Sequence, residues 1–344
     1  MKVSIVGATG YGGAELVRLI SNHPHMEIAG LHSSSRTGHE YVAEYPHFMY
    51  KVEDILQEIN PEKMAEESDL VFLAAPNGVS GELAPQFQSL NTRVIDLSGD
   101  LRIKNRDDYR NWYKMEPAPE DILSSAVYGL PEWNRENTAD AQIIANPGCF
   151  PTAALLGLAP LLQNYDSIED IIIDAKTGVS GAGRSPSAGT HFSEVNENFK
   201  IYKVNGHQHT PEIEQQLHAW NPKVPPISFS AHLVPMTRGI MTTMYVKGDG
   251  PGDAARLWSL YKETYEHEPF VRVHQNGSFP CTRHVYGSNF CDIGTAYDER
   301  TGRIMIISVI DNLVKGAAGQ AVQNANIMFG FKEDDGLLSL PLYP

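Results

Sequence analysis

The chain has 344 residues, 42% hydrophobic and 20% charged, which is enough for two domains with sizeable cores and too apolar for a disordered protein. Its 42 acidic residues outnumber 27 Lys and Arg, and the net charge of −15 argues against nucleic acid or an anionic membrane as a general partner. No apolar run is long enough to span a bilayer, and three cysteines (Cys149, Cys281 and Cys291) are too sparse for a disulfide framework. The expectation is an enzyme of a reducing compartment, cytoplasmic, with no signal or transit peptide before its first strand.

A short strand over residues 3–6 runs into glycines at 7, 10 and 13, then into an amphipathic segment carrying Leu16, Val17, Leu19 and Ile20. Strand, tight glycine turn and helix are the context that a dinucleotide-binding loop needs. The spacing is G-x-x-G-x-x-G, and the loop Gly7, Thr9, Gly10, Tyr11, Gly12 and Gly13 is the candidate pyrophosphate cradle. A second strand over residues 27–31 ends in His32-Ser33-Ser34-Ser35-Arg36. A site for NAD usually places a carboxylate here for the ribose 2′-hydroxyl. Hydroxyls of Ser33 and Ser35 and the guanidinium of Arg36 suit a 2′-phosphate instead, so the expected cofactor is NADP.

Further strands are expected over residues 70–75, 93–97 and 142–145, alternating with helices. That alternation predicts an α/β domain with a Rossmann-type parallel sheet. Asp96-Leu97-Ser98-Gly99-Asp100-Leu101-Arg102 follows one strand's carboxyl end, where ligands bind in such sheets. The last strand leads into Asn146-Pro147-Gly148-Cys149-Phe150-Pro151 and an apolar, Ala- and Leu-rich stretch. Pro151 marks the first helical residue, so Cys149 is expected on a strand-to-helix turn. Unpaired backbone N–H groups and the helix dipole favour a thiolate there, and a thiolate so placed is a nucleophile. A small buried apolar residue is the plainer alternative.

Beyond that helix the pattern changes. Longer β-like runs over residues 170–175, 228–236, 240–246 and 303–310 predict an α+β second domain with a mixed or antiparallel sheet. Between them lies Gly206-His207-Gln208-His209-Thr210-Pro211-Glu212. Read as extended, it points His207 and His209 to one side, as acid–base groups, as one catalytic and one substrate-binding residue, or as half a metal site. No third ligand of obvious spacing accompanies them, so no metal is expected. Ser180-Gly181-Ala182-Gly183 reads as a flexible loop whose N–H groups face nicotinamide or phosphate. A last helix over residues 314–329 places small residues at 317, 318, 321 and 325 on one face. The expected division is an NADP-binding domain, 1–148, completed by 313–344, and a catalytic domain, 149–312.

These motifs, with His232-Leu233-Val234-Pro235-Met236-Thr237-Arg238 and Lys315-Gly316-Ala317-Ala318-Gly319-Gln320, resemble the N-acetyl-γ-glutamyl-phosphate reductase family over essentially the whole length. The glycine loop is shared with the related aspartate-semialdehyde dehydrogenases. The resemblance implies NADPH-dependent reduction of an acyl phosphate to an aldehyde through a thioester on Cys149, in arginine biosynthesis. It implies that Ser98 and Arg102 hold the phosphoryl group, with Asn146, Arg184 and Arg238 as further substrate contacts and Ser180 and Gly181 beside the cofactor. It also implies a homo-oligomer, dimer or tetramer, with 149–312 as its oligomerisation domain. Paralogous reductases acting on aminoadipyl phosphate or aspartyl phosphate would keep Cys149 and the loop. A carrier-linked substrate would need a basic rim, which so acidic a chain does not advertise. A phosphate-independent aldehyde dehydrogenase would leave Arg102 without a role, and an NADP-sensing regulator would be expected to lose the nucleophile or its histidines.

Overall fold

The computed structural model describes residues 1–343 and divides into two compact units. The first takes in Met1–Gly148 and Ala317–Leu338. Its strands are β1 (Lys2–Val6), β2 (Glu27–His32), β3 (Leu70–Leu73), β4 (Arg93–Asp96), β5 (Val127–Tyr128) and β6 (Ile143–Ala145). They pair in the order β2-β1-β3-β4-β6-β5, and every pair is parallel. β3 and β6 are buried along their whole length, the mark of a sheet covered on both faces, and this is why they read as unbroken apolar runs. The helix Tyr11–Ile20 follows the glycine turn.

The closing helix of this unit is Gly319–Met328, shorter than the expected 314–329. Residues Val314–Ala318 form a π-helical turn ahead of it. The small residues Ala318, Ala321 and Ala325 are fully buried, but so are Gln320, Gln323, Asn324 and Asn326. The buried amides are tied down: Gln320 Nε2 and Asn324 Nδ2 both donate to the carbonyl of Gly129, at 2.9 and 2.8 Å. The helix is therefore anchored by amide hydrogen bonds as well as by close packing, as buried polar groups must be.

The second unit runs Cys149–Gly316 and from Ser339 onward. Its strands are β7 (Ile168–Thr177), β8 (Lys200–Tyr202), β9 (Ser228–Leu233), β10 (Ile240–Gly248), β11 (Val271–Val273), β12 (Cys291–Asp298) and β13 (Arg303–Ile310). The order is β11-β12-β13-β10-β7-β9-β8. Only β11/β12 and β7/β9 are parallel, so the sheet is mixed. β10 alternates buried and half-buried residues, one face against the core. The helix Cys149–Asn164 packs on β10 and β13 and beside the helix His209–Trp220. The chain from Ser339 onward joins this unit, where the expected division put it with the first. The N–H of Leu342 donates to Tyr286 O at 2.9 Å, and the Arg283 guanidinium lies over the Tyr343 ring.

Candidate active site

In the first unit, the glycines of the turn separate into two kinds. Gly7 has φ +78°, and a Cβ there would lie 2.3 Å from Ala74 O; a Cβ on Gly13 would lie 2.3 Å from Gly7 O. These two are required by the turn and by helix–strand packing. Gly10, extended at φ −79°, caps the helix with no side-chain bond of its own, and nothing lies within 4 Å of a Cβ on Gly12. The helix N-terminus thus keeps its N–H groups open beside bare backbone, a cradle that fits a pyrophosphate. Tyr41 and Tyr45 fix this loop from outside, their hydroxyls donating to the carbonyls of Ala8 (3.3 Å) and Thr9 (3.0 Å). Past β2, Ser33 is buried, whereas Ser35 and Arg36 are exposed. Arg36 Nε lies 3.2 Å from Glu44 Oε1. A phosphate arriving here meets hydroxyls and a guanidinium whose present partner is a carboxylate, so the loop fits a 2′-phosphate group.

At the end of β4, Ser98 N–H donates to Asp96 Oδ1 (2.8 Å) and Ser98 Oγ accepts from Asp100 N (3.1 Å). Asp100 accepts from the N–H groups of Gly78 and Gly81 and from the Tyr109 hydroxyl at 2.7 Å. Burial, and then the Asp100 charge, push the Asp96 carboxyl up to about 6. Arg102 is only 6% exposed. Its Nε donates to Asn146 O at 2.7 Å and its Nη2 to Leu97 O at 2.8 Å. Asn146 is fully buried; its Nδ2 donates to Ala317 O (3.1 Å) and its Oδ1 accepts from Asn324 Nδ2 (3.1 Å). Arg102 and Asn146 therefore fasten the β4 loop, the end of β6 and the Gly319–Met328 helix to one another.

In the second unit, Cys149 is the first residue of its helix, and Pro151 is the third. The expectation that Pro151 opens the helix is corrected by two residues. A proline costs nothing in the first turn because those N–H groups have no intrahelical partner. The thiol thus sits on the terminus itself, half-buried, where the helix N–H groups favour the thiolate. The histidine segment is helical, not extended: Gln208 has φ −61°, ψ −15°, and the helix begins at His209. The two rings still meet, 4.9 Å apart. His207 is 4% exposed and boxed by Phe150, Tyr202 and Phe229, with ring centroids 5.4, 5.6 and 5.1 Å away. Its Nδ1 accepts the His209 N–H at 3.2 Å, which requires the neutral ring with the proton on Nε2. Burial, then the Lys203 charge, take its pKa down to about 3. Phe150 also packs on His209, at 5.9 Å. Tyr202 and Lys203 were not singled out from the sequence; the only signal was their place just before the histidine motif.

The Ser180 loop is not a flexible nest. It is a 3-10 turn, Val179–Ala182, in which Ser180 N–H donates to Thr237 O (3.0 Å) and Gly181 N–H to Gly178 O (3.2 Å). Its N–H groups are spent on the fold because Gly178 lies hard against the backbone of Thr237. Ser180 Oγ accepts from Asn312 Nδ2 at 3.0 Å. Arg184 is exposed, and Arg238 Nη1 lies 3.7 Å from the buried Asp311 Oδ2. Among the described residues, the cluster with metal-ligating geometry is His274, His284 and Asp292, and it includes neither His207 nor His209. Asp292 there pairs with Arg272 and His274.

A glycine-cradle α/β unit followed by a unit that opens on a cysteine and carries a histidine pair is the plan of a semialdehyde dehydrogenase. Residues 2–141 match the semialdehyde dehydrogenase NAD binding domain, and residues 149–312 match the semialdehyde dehydrogenase dimerisation domain. Aspartate semialdehyde dehydrogenase II from Vibrio cholerae shares the fold, with TM-score 0.73 and 21% identity over 96% of this chain and 98% of that one. Within the class, this chain belongs to the N-acetyl-γ-glutamyl-phosphate reductase family. It is 57% identical to the reductase of Geobacillus sp. (strain WCH70) and 58% identical to that of Bacillus subtilis (strain 168), each over 100% of both chains.

Proposed function

We propose that this chain reduces N-acetyl-γ-glutamyl phosphate to N-acetylglutamate 5-semialdehyde, releasing phosphate, with NADPH as the reductant. It is an oxidoreductase of arginine biosynthesis acting on a small molecule, and its cofactor is NADP. The observation that carries the chemistry is Cys149 at a helix N-terminus, with a histidine pair in its own unit.

The Cys149 thiolate attacks the γ-carbonyl carbon; the carbon–oxygen bond to the phosphoryl group breaks and phosphate leaves with its electron pair, giving a thioester. NADPH, when bound, would supply the hydride that reduces the thioester. His209 is the acid–base residue. It protonates the alkoxide oxygen formed on reduction of the thioester, giving a thiohemiacetal, and takes that proton back as the carbon–sulfur bond breaks, restoring the thiolate and freeing the aldehyde. His207, held neutral by its acceptor Nδ1, is a positioning residue that fixes the start of the His209 helix. Gly7, Thr9, Gly10, Tyr11, Gly12 and Gly13 hold the pyrophosphate, Ser33, Ser35 and Arg36 the 2′-phosphate, and Ser180 and Gly181 line the cofactor through groups other than their N–H. Ser98 binds the phosphoryl oxygen. Arg102 and Asn146 act by holding the turn that delivers Cys149. Arg184 and Arg238 serve the anionic groups of the substrate.

The first unit is thus the cofactor domain and the second the catalytic domain, which also makes the subunit contact of a homo-oligomer. The three cysteines form no disulfide, which supports a cytoplasmic setting. The test is the reverse reaction: oxidation of N-acetylglutamate 5-semialdehyde with NADP and phosphate, beside aspartate semialdehyde. Preference for the first by orders of magnitude is expected, and equal or reversed preference would assign the chain to a paralogous activity.

A further inference from the structure

We propose that Lys203 is the cation that receives an anionic group of the substrate beside Cys149; the role rests on the acyl-phosphate reading above. β8 ends at Tyr202, whose ring stands edge-on to His207, and whose hydroxyl holds its proton more tightly because of burial and the Cys149 charge. Lys203 comes next, in the left-handed region at φ +48°, and Asn205 follows at φ +55°. Two such non-glycine residues so close together keep a cost of order 1 kcal/mol each, the kind of strain retained where a side chain must be aimed. The Lys203 ammonium donates to the side-chain carbonyl of Gln208, the residue before the His209 helix. It lies near enough to His207 to oppose charge on that ring, and burial lowers its own pKa.

Lys176, Lys247 and Lys63 each have a carboxylate partner. Lys200, like Lys203, has a neutral partner, the carbonyl of Gly189, but what sets Lys203 apart is its place beside the buried His207. In a chain with 42 acidic residues, Lys203 has no carboxylate within 4.0 Å among the described residues. Among the described residues its hydrogen-bond partner is a neutral amide, which an incoming oxyanion displaces without leaving a buried charge behind. The ligand chemistry is an oxyanion that the substrate offers twice, as phosphoryl group and as α-carboxylate.

The test compares alkylation of Cys149 by iodoacetate and by iodoacetamide in the full-length protein, followed on the Cys149 peptide by mass spectrometry. The ratio of the two rates cancels any change in thiolate fraction. Lys203→Met is expected to lower the iodoacetate-to-iodoacetamide ratio about tenfold, the worth of one hydrogen bond to a charged group, and Lys203→Arg to keep it near wild type. An unchanged ratio in Lys203→Met overturns the proposal. In the reverse reaction, Lys203→Met is expected to raise the KM for phosphate if the phosphoryl group is the ligand, or for the semialdehyde if the carboxylate is, with kcat changed less. Either result supports the role, and no change in both KM values overturns it. If the wild type fails to oxidise the semialdehyde, the acyl-phosphate reading falls, while the alkylation ratio still decides for or against Lys203.

Discussion

A Cβ added to Gly316 would lie 2.8 Å from the Cβ of Cys149 and 3.2 Å from its Cα. Gly316 belongs to the π-helical turn Val314–Ala318, so this irregular turn presses bare backbone against Cys149 and fixes its position. Neither group is flexible, so a methyl there has to move the helix N-terminus. Gly316→Ala is expected to cost roughly 1–3 kcal/mol of stability as an overpacked site. It should also lower kcat at least about tenfold, since misplacing a reacting group by about 1 Å can cost more. Gly189→Ala is the control, because a Cβ at Gly189 meets nothing within 4 Å. Equal activity of the two variants would show that Gly316 does not set the thiol.

The histidines should separate in experiment. His209→Asn is expected to lower kcat by about 100-fold or more, the usual worth of an acid–base group. His207→Asn keeps an acceptor for the His209 N–H and should cost less. His207 has its other effect on the fold. Its pKa falls from 6.5 unfolded to about 3 folded, so the unfolded chain binds the extra proton across that window. Stability therefore drops as pH falls from 6.5 toward 3, by about 1.4 kcal/mol per unit from this group. Urea melts from pH 7 to 4 should lose stability less steeply in His207→Asn than in wild type. An identical slope would mean that the ring is not held neutral.

Much of the fold could be read from the chain because apolar runs and glycine turns are local signals. The strands β1, β3, β4 and β6 and the helix that begins at Cys149 all came from that pattern. Short edge strands did not. β8 and β11, three residues each, are held by partners distant in sequence. The hydrogen bonds of Arg102 and of the Ser180 turn were hidden for a related reason. A D-x-S-x-x-x-R spacing cannot show that a guanidinium is already bonded to the carbonyls of Leu97 and Asn146, nor can a glycine-rich loop show that its N–H groups face Thr237 and Gly178. Hydrogen bonds across a fold leave no periodicity in sequence.

Asp96 carries a titration of the opposite sign. Its carboxyl rises from 3.8 to about 6 on folding, so the folded chain keeps a proton that the unfolded chain has given up. The fold loses stability as pH rises through that window, by roughly 3 kcal/mol by pH 7. Asp96→Asn keeps an oxygen for the Ser98 N–H and removes the charge. It is expected to stabilise the protein by roughly 1–3 kcal/mol at pH 7.5 and by nothing below pH 4. Urea unfolding at the two pH values checks this, and the same difference at both would mean that charge is not the cause.

Arg36 is the residue on which cofactor choice should turn. Its guanidinium is half-exposed and held by Glu44, and a half-exposed pair of this kind is worth only about 0–1 kcal/mol. A 2′-phosphate offers a stronger, charge-assisted partner, so exchanging the carboxylate for the phosphate is favourable. Arg36→Ala is expected to weaken NADPH binding about tenfold or more and to leave NADH nearly unchanged, read by titrating nucleotide fluorescence. Glu44→Gln should act the other way, tightening NADPH up to about fivefold by removing a like charge and a competitor. Raising the salt concentration should shrink both effects on NADPH, because the loop is open to solvent. If Arg36→Ala weakened NADH as much as NADPH, the guanidinium would be supporting the loop and not the phosphate, and the preference for NADP would have to come from Ser33 and Ser35.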